Sequence, residues 1–186
     1  MLKRLAPFAA VAGLVGCTAM QKPQPPAAPP PAPPRAPGSA TMTRTEQQVV
    51  QATNAFRDEN RLAPLRPSVP LILVAQKHAR NMARQDKFGD SDKNGHILDG
   101  KSFEDRIAAS GYPFSRVAEN VGYERNKPDA VAAMMTDWKN SRGHRNNMLA
   151  PEITEIGVGA GQGKSGRWYF VQVFGLPQDQ ARAGRD

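Results

Sequence analysis

The chain of 186 residues holds one cysteine, Cys17, so no disulfide can form within it. Its one sustained apolar run, Leu5 to Val15, is too short for a mature helix to cross ~30 Å of hydrocarbon, which takes ~20 residues. Placed after Lys3-Arg4 and ending at small residues, the run reads as the h-region of an export signal spanning 1–16. Aromatics are scarce at 6%, and the cations (Arg57, Arg61, Arg66, Lys77, Arg80, Arg84, Arg116, Arg125, Lys139, Arg142, Arg145) are scattered, with no dense run among them. That pattern, together with export, argues against nucleic acid as a partner and for solvated surface charge, with attraction to anionic lipid or envelope polymers as the other use of the net +8. Loss of Lys3 and Arg4 with the leader lowers that figure to +6. No internal repeat is visible.

Leu14-Val15-Gly16-Cys17 resembles the bacterial lipobox, in which the cysteine is acylated after cleavage and becomes the first residue. Acyl chains then hold the protein at ~0.8 kcal/mol per buried methylene. The competing reading is an ordinary signal with an incidental cysteine. Pro23 to Pro37 carries nine prolines among alanines. Such a stretch takes extended polyproline II at ~3.1 Å per residue and forms a stalk. The division expected is therefore 1–16 signal peptide, 17–42 lipidated cysteine and linker, 43–176 globular domain and 177–186 flexible tail.

Within the domain, 45–60 has helical spacing, with Val49, Ala52, Ala55 and Phe56 on one face and a cap from Thr43 or Thr45. A second helix follows Pro70, where Leu71, Val74, Ala75, His78, Ala79 and Met82 form a continuous apolar stripe. His78 on that stripe reads as a packed, hydrogen-bonded core histidine. Met82, Met134 and Met135 read as core filling. Gly89 to Gly100 is a loop, Ser102 to Arg106 opens a short helix closing at Gly111, and Val117 to Tyr123 is a strand. A helix starting at Asn126-Lys127-Pro128 carries Val131, Met134, Met135 and Trp138 and ends at Ser141-Arg142-Gly143. Strands 156–160 and 168–174 flank a glycine-rich hairpin turn, and the second is apolar on both faces. A strand covered twice implies a small antiparallel sheet between helical layers, an α+β fold.

His96, Glu119 and His144 are the candidate chemical groups. Two neutral imidazoles and a carboxylate suit zinc, and a water held there could be activated. Their separations of 23 and 25 residues match no short metal motif, so loop-bonding histidines are the competing reading. A Ser141–His144 nucleophile and base pair lacks both a strained elbow and a third member.

Phe103-Glu104-Asp105-Arg106-Ile107 with Gly111-Tyr112, Glu119-Asn120, Trp138 with Ser141 to Leu149, Ile156-Gly157-Val158-Gly159, and Val171-Gln172-Val173-Phe174-Gly175 occur in that order. Together with Asn54-Ala55-Phe56-Arg57, Leu62-Ala63-Pro64-Leu65 and Ala75 to Ala79, they resemble the bacterial SCP-like branch of the CAP superfamily over about residues 45–175. The resemblance implies an α-β-α sandwich with a cleft lined by histidines and acidic residues that takes divalent metal in some members. It assigns His96 and His144 as the cleft histidines and Glu119 as the glutamate of the Glu-Asn pair. Ser141 stands where a second glutamate is expected, and Asp137 is expected on the wrong side of its helix. Asn120 is expected to orient the backbone around Glu119.

The expected function is that of a cell-envelope lipoprotein, monomeric and membrane-held through Cys17, on the periplasmic or surface face. Its cleft of His96, Glu119, Asn120, Ser141 and His144 would bind a small lipid, peptide or glycan fragment, with zinc or another divalent metal as the implied cofactor. A zinc-dependent hydrolase using Glu119 as general base and a non-catalytic envelope scaffold are the alternatives.

Overall fold

The computed structural model describes residues 41–91 and 95–179. The expected signal, Cys17, the proline-rich stalk and most of the tail lie outside the described residues. Nine elements run in the order α1 (Arg44–Glu59), β1 (Arg66–Pro67), α2 (Val69–Gln85), α3 (Phe103–Ala108), β2 (Phe114–Glu124), α4 (Ala130–Asn140), α5 (Arg142–Met148), β3 (Glu155–Gln162) and β4 (Trp168–Pro177). No helix among the described residues is long and apolar enough to cross a membrane.

The strands order as β1-β3-β4-β2, which leaves β2 at an edge. β4 pairs antiparallel with both β2 and β3. β1 is a two-residue strand parallel to β3, absent from the sequence expectation because Arg66-Pro67 is too short to show a period. Successive β4 side chains point to opposite faces. Tyr169, Val171 and Val173 therefore enter a core with α2 and α3, while Phe170 and Phe174 enter a second core with α1, α4 and α5. This is the α-β-α sandwich expected. β3 lies so close to α2 that a Cβ at Gly157 or Gly159 would stand 2.0 Å from the Leu71 carbonyl carbon or 2.2 Å from the Ala75 oxygen. Only glycine permits that approach.

Thr43 is the cap of α1, in a reciprocal box with Glu46: Thr43 N–H donates to Glu46 Oε2 at 2.7 Å and Glu46 N–H to Thr43 Oγ1 at 3.3 Å. The buried face of α1 runs through Glu46, Val49, Val50, Thr53 and Arg57, whereas Ala55 is exposed, contrary to the apolar face expected. Arg57 is likewise no solvated cation. At 1% exposure it donates to the carbonyls of Ala63 (2.8 Å), Met148 (2.8 Å), Ala150 (3.0 Å) and Ile153 (3.4 Å), tying the end of α5 to α1. A guanidinium with five donors serves these carbonyls at once. The expected helix at Asn126 begins instead at Ala130, capped by Asp129, whose carboxylate accepts from Ala132 N–H at 2.9 Å. The chain then turns at Ser141 into α5, which the glycine at position 143 concealed in the sequence.

Candidate functional site

β2 places Glu119 and Asn120 at adjacent positions and hence on opposite faces of the sheet edge. On the α3 face, Glu119 is a buried carboxylate, with 1% of its side chain exposed. Arg106, from α3, donates from Nη2 to both Glu119 oxygens at 2.9 Å. Its Nη1 donates to the carbonyls of His96 (2.9 Å) and Lys101 (3.1 Å), which fixes the loop that carries the histidine. His96 Nδ1 lies 2.9 Å from Glu119 Oε1. A carboxylate held by Arg106 only accepts, so the ring donates from Nδ1, and the bond sets both tautomer and orientation. The His96 side chain is 43% exposed at the mouth of a recess of about 450 Å³, shared with Glu119, Val117, Phe103 and Asn147.

Behind this site stands His78 of α2, 2% exposed, its Nε2 2.7 Å from the Gly95 carbonyl. Burial, then the nearby Arg106 charge, hold its pKa below the usual imidazole value. The ring is neutral and donates to Gly95, a core histidine that supports the His96 loop, as its position on the apolar stripe implied.

On the α5 face, Asn120 is fully buried and joins β2 to α5 and β4. Its Nδ2 donates to the His144 carbonyl at 3.1 Å and to Gln172 Oε1 at 3.0 Å, and its Oδ1 accepts from Asn147 Nδ2 at 2.9 Å. Gln172 passes the chain on to Thr53 Oγ1 at 2.7 Å. Asn147 also donates to the Glu119 carbonyl at 3.3 Å. The amide of Asn120 thus anchors α5, a larger role than orienting its own backbone.

His144 packs 6.4 Å from the Trp138 ring and lines a separate recess of about 430 Å³ with Asp137, Trp138, Ser141, Tyr123 and Phe88. Burial, then the charge of His96, lower its pKa. The two cleft histidines are therefore close enough to sense one another's charge, and they line neighbouring recesses along the β2 edge, His96 beside Val117 to Glu119 and His144 beside Val121 to Tyr123. Ser141 forms no hydrogen bond with His144. It terminates α4 and starts α5. Asp137, expected on the wrong side of its helix, lines the His144 recess and meets Glu124. Burial, then contact with Asp137, raise the Glu124 pKa.

Among the described residues no group of three or more His, Cys, Asp or Glu side chains is placed to hold a metal ion. The group missed in the sequence was Arg106, quoted only as part of a motif. No pattern in a single chain announces that a helix arginine will face a strand glutamate 13 residues on.

The family model described as "CAP: Cysteine-rich secretory protein family" matches residues 50–174. Two proteins of Bacillus subtilis (strain 168) are similar in sequence. The membrane protein YlbC is 33% identical over 133 residues, which cover 71% of this chain and 34% of that protein. YkwD is 30% identical over 120 residues, covering 64% and 44%. The chain thus spans less than half the length of these curated relatives. Among solved structures, an SCP-domain extracellular protein from Bacillus anthracis str. Ames superposes with a TM-score of 0.56 at 26% identity, over 74% of this chain and 45% of that one. An outer surface protein from Borrelia burgdorferi superposes at 0.63 with 17% identity, over 75% and 97%, a likeness of fold.

Proposed function

Because the chain belongs to the CAP, or cysteine-rich secretory protein, family, we propose that it is an extracytoplasmic lipoprotein, held through Cys17, whose domain binds a small lipid, peptide or glycan fragment at the edge of β2 without hydrolysing it. The observation that carries this reading is the state of Glu119. Both its oxygens accept from Arg106, one also from His96, and its side chain is 1% exposed. A general base must reach the proton it takes, and this carboxylate is nearly fully buried with both oxygens already accepting.

The divalent metal found in some family members does not fit the donor set. Glu119, the carboxylate bonded to His96, is neutralised by the Arg106 guanidinium, which occupies the place of a cation and repels another. His144 lines the other recess, and the position of a second glutamate is taken by Ser141. What remains is a rigid, hydrogen-bonding mouth: an oriented His96 on one side and a neutral His144 beside Trp138, Ser141 and Asp137 on the other. Ligand pockets place few polar groups among apolar walls in this way.

Calorimetric titration of the protein with zinc, and with panels of peptides, glycan fragments and single-chain lipids, tests the reading. We expect a ligand whose affinity falls about tenfold or more in His96→Ala or His144→Ala, no turnover, and zinc uptake unaffected by either change. Zinc binding that both substitutions abolish, accompanied by hydrolysis lost in Glu119→Gln, would replace it with the hydrolase. For the anchor, Cys17→Ser should release the protein from membranes prepared at high salt.

A further inference from the structure

Helix α2 presents to solvent a stripe that the binding site does not use. Val69, Leu73, Lys77, Arg80 and Arg84 follow one another at helical spacing on the face opposite the buried one. No acidic residue occurs in α2. At the N-terminal end of the stripe two aliphatic side chains stand in water, Val69 at 40% and Leu73 at 53% exposure. Exposed aliphatics one turn apart, continued by cations, are the pattern of a helix that lies on a lipid interface.

The stripe also borders a cavity. Between α2 and α3 lies a space of about 430 Å³ with Leu73, Val74, Leu98 and Ala109 on its walls and with Lys77, Arg84 and Lys101 supplying charge. The two carboxylates on the same walls are committed elsewhere. Asp99 accepts from Asn81 (2.7 Å) and Gln85 (2.9 Å), and Asp105 closes the capping box of α3. Arg106 Nε is buried with no acceptor. A second space, of about 340 Å³, shares Leu73, Lys77 and Arg84.

We propose that this face of α2 docks onto a bilayer surface rich in anionic phospholipid, with phosphate oxygens meeting Lys77, Arg84 and Lys101 and with Leu73 entering among the upper acyl carbons. Charge complementarity alone would also suit an acidic polymer, but a polymer leaves Val69 and Leu73 wet, whereas a bilayer covers them.

The test uses the full-length chain carrying Cys17→Ser, so that no acyl chain contributes, cosedimented with phosphatidylcholine vesicles with and without phosphatidylglycerol. Binding should require phosphatidylglycerol, and each cation near the surface should contribute about fivefold. The combined change Lys77→Glu, Arg84→Glu and Lys101→Glu should therefore cut partitioning by about tenfold or more. The combination Arg61→Glu, Arg125→Glu and Lys164→Glu, with the same change of net charge away from α2, should leave it within about twofold. Leu73→Ser, which leaves every charge in place, should weaken binding to the phosphatidylglycerol vesicles severalfold at low salt. All of these side chains are exposed, and thermal melting checks each fold; Gln in place of Glu is the milder set should a melt shift. Equal losses in both triple variants, or equal binding to both vesicle types, would overturn the proposal. So would an unchanged Leu73→Ser protein that binds soluble polyglutamate as well as it binds vesicles, which would assign the face to an acidic polymer.

Discussion

The two faces of β2 solve the same problem by opposite means. On the α3 face, polar burial is achieved with full charges: Glu119 is matched by Arg106, and His96 adds a hydrogen bond. On the α5 face it is achieved with neutral groups, the amides of Asn120, Asn147 and Gln172 and the hydroxyl of Thr53. A charged pair tolerates the loss of a partner badly, because the remaining ion is stranded in a poorly polarisable interior. Amides share the cost of a lost bond among several partners. The α3 face should therefore be the more brittle, although each face carries buried atoms without partners, Arg106 Nε on the first and Glu124 Oε1 and Trp138 Nε1 on the second.

Arg106→Ala should show the difference at its largest. Stranding Glu119 should cost about 3–5 kcal/mol in chemical denaturation, and pairing the change with Glu119→Leu should restore a good part of it. A single-variant loss below about 1 kcal/mol would mean that water reaches Glu119 and that the charged face is not dry. Asn120→Leu, on the other face, should cost about 1–3 kcal/mol, since Gln172, Asn147 and the His144 carbonyl each lose a partner while the shape is nearly kept. If it proves costlier than Arg106→Ala, the contrast between the faces is reversed.

The smallest effect should have the opposite sign. Glu124 has a pKa above its unfolded value, so its contribution is fully present below the ordinary glutamate range and is lost as pH rises through the raised value. Glu124→Gln keeps a donor toward Asp137 and removes the proton linkage. Its Tm should exceed that of the parent by about 2–4 °C at pH 8 and converge with it near pH 4. Parallel Tm curves across that range would show that Glu124 titrates as an ordinary exposed carboxylate.

Much of the fold could be read from periodicity. The α2 stripe from Leu71 to Met82 is buried throughout, and β4, apolar at successive positions, is the strand with a core on each side. α1 misled because its inward face is built from Thr53 and Arg57, polar residues whose hydrogen bonds with distant backbone and side chains no local pattern reveals. α5 was missed because a glycine in its first turn reads as a stop, though the helix is held from outside by Asn120 and Arg57. At the site, the ordered motifs singled out His96, Glu119 and His144, but their relation was hidden: adjacent positions on one strand, such as 119 and 120, face opposite ways, and what lies on each side depends on packing.

The order of apolar and polar residues by itself determined the layered α+β fold, through periods of two and 3.6, while motifs contiguous in the chain carried the resemblance to the CAP family and pointed to the residues of the cleft. Only the tertiary structure decided that Arg106 neutralises Glu119, that the two cleft histidines line separate recesses, and that the cations of α2 share a surface with Leu73. Those facts join residues far apart in sequence. Coulombic pairing and burial act through distance in space, which the chain acquires only when it folds.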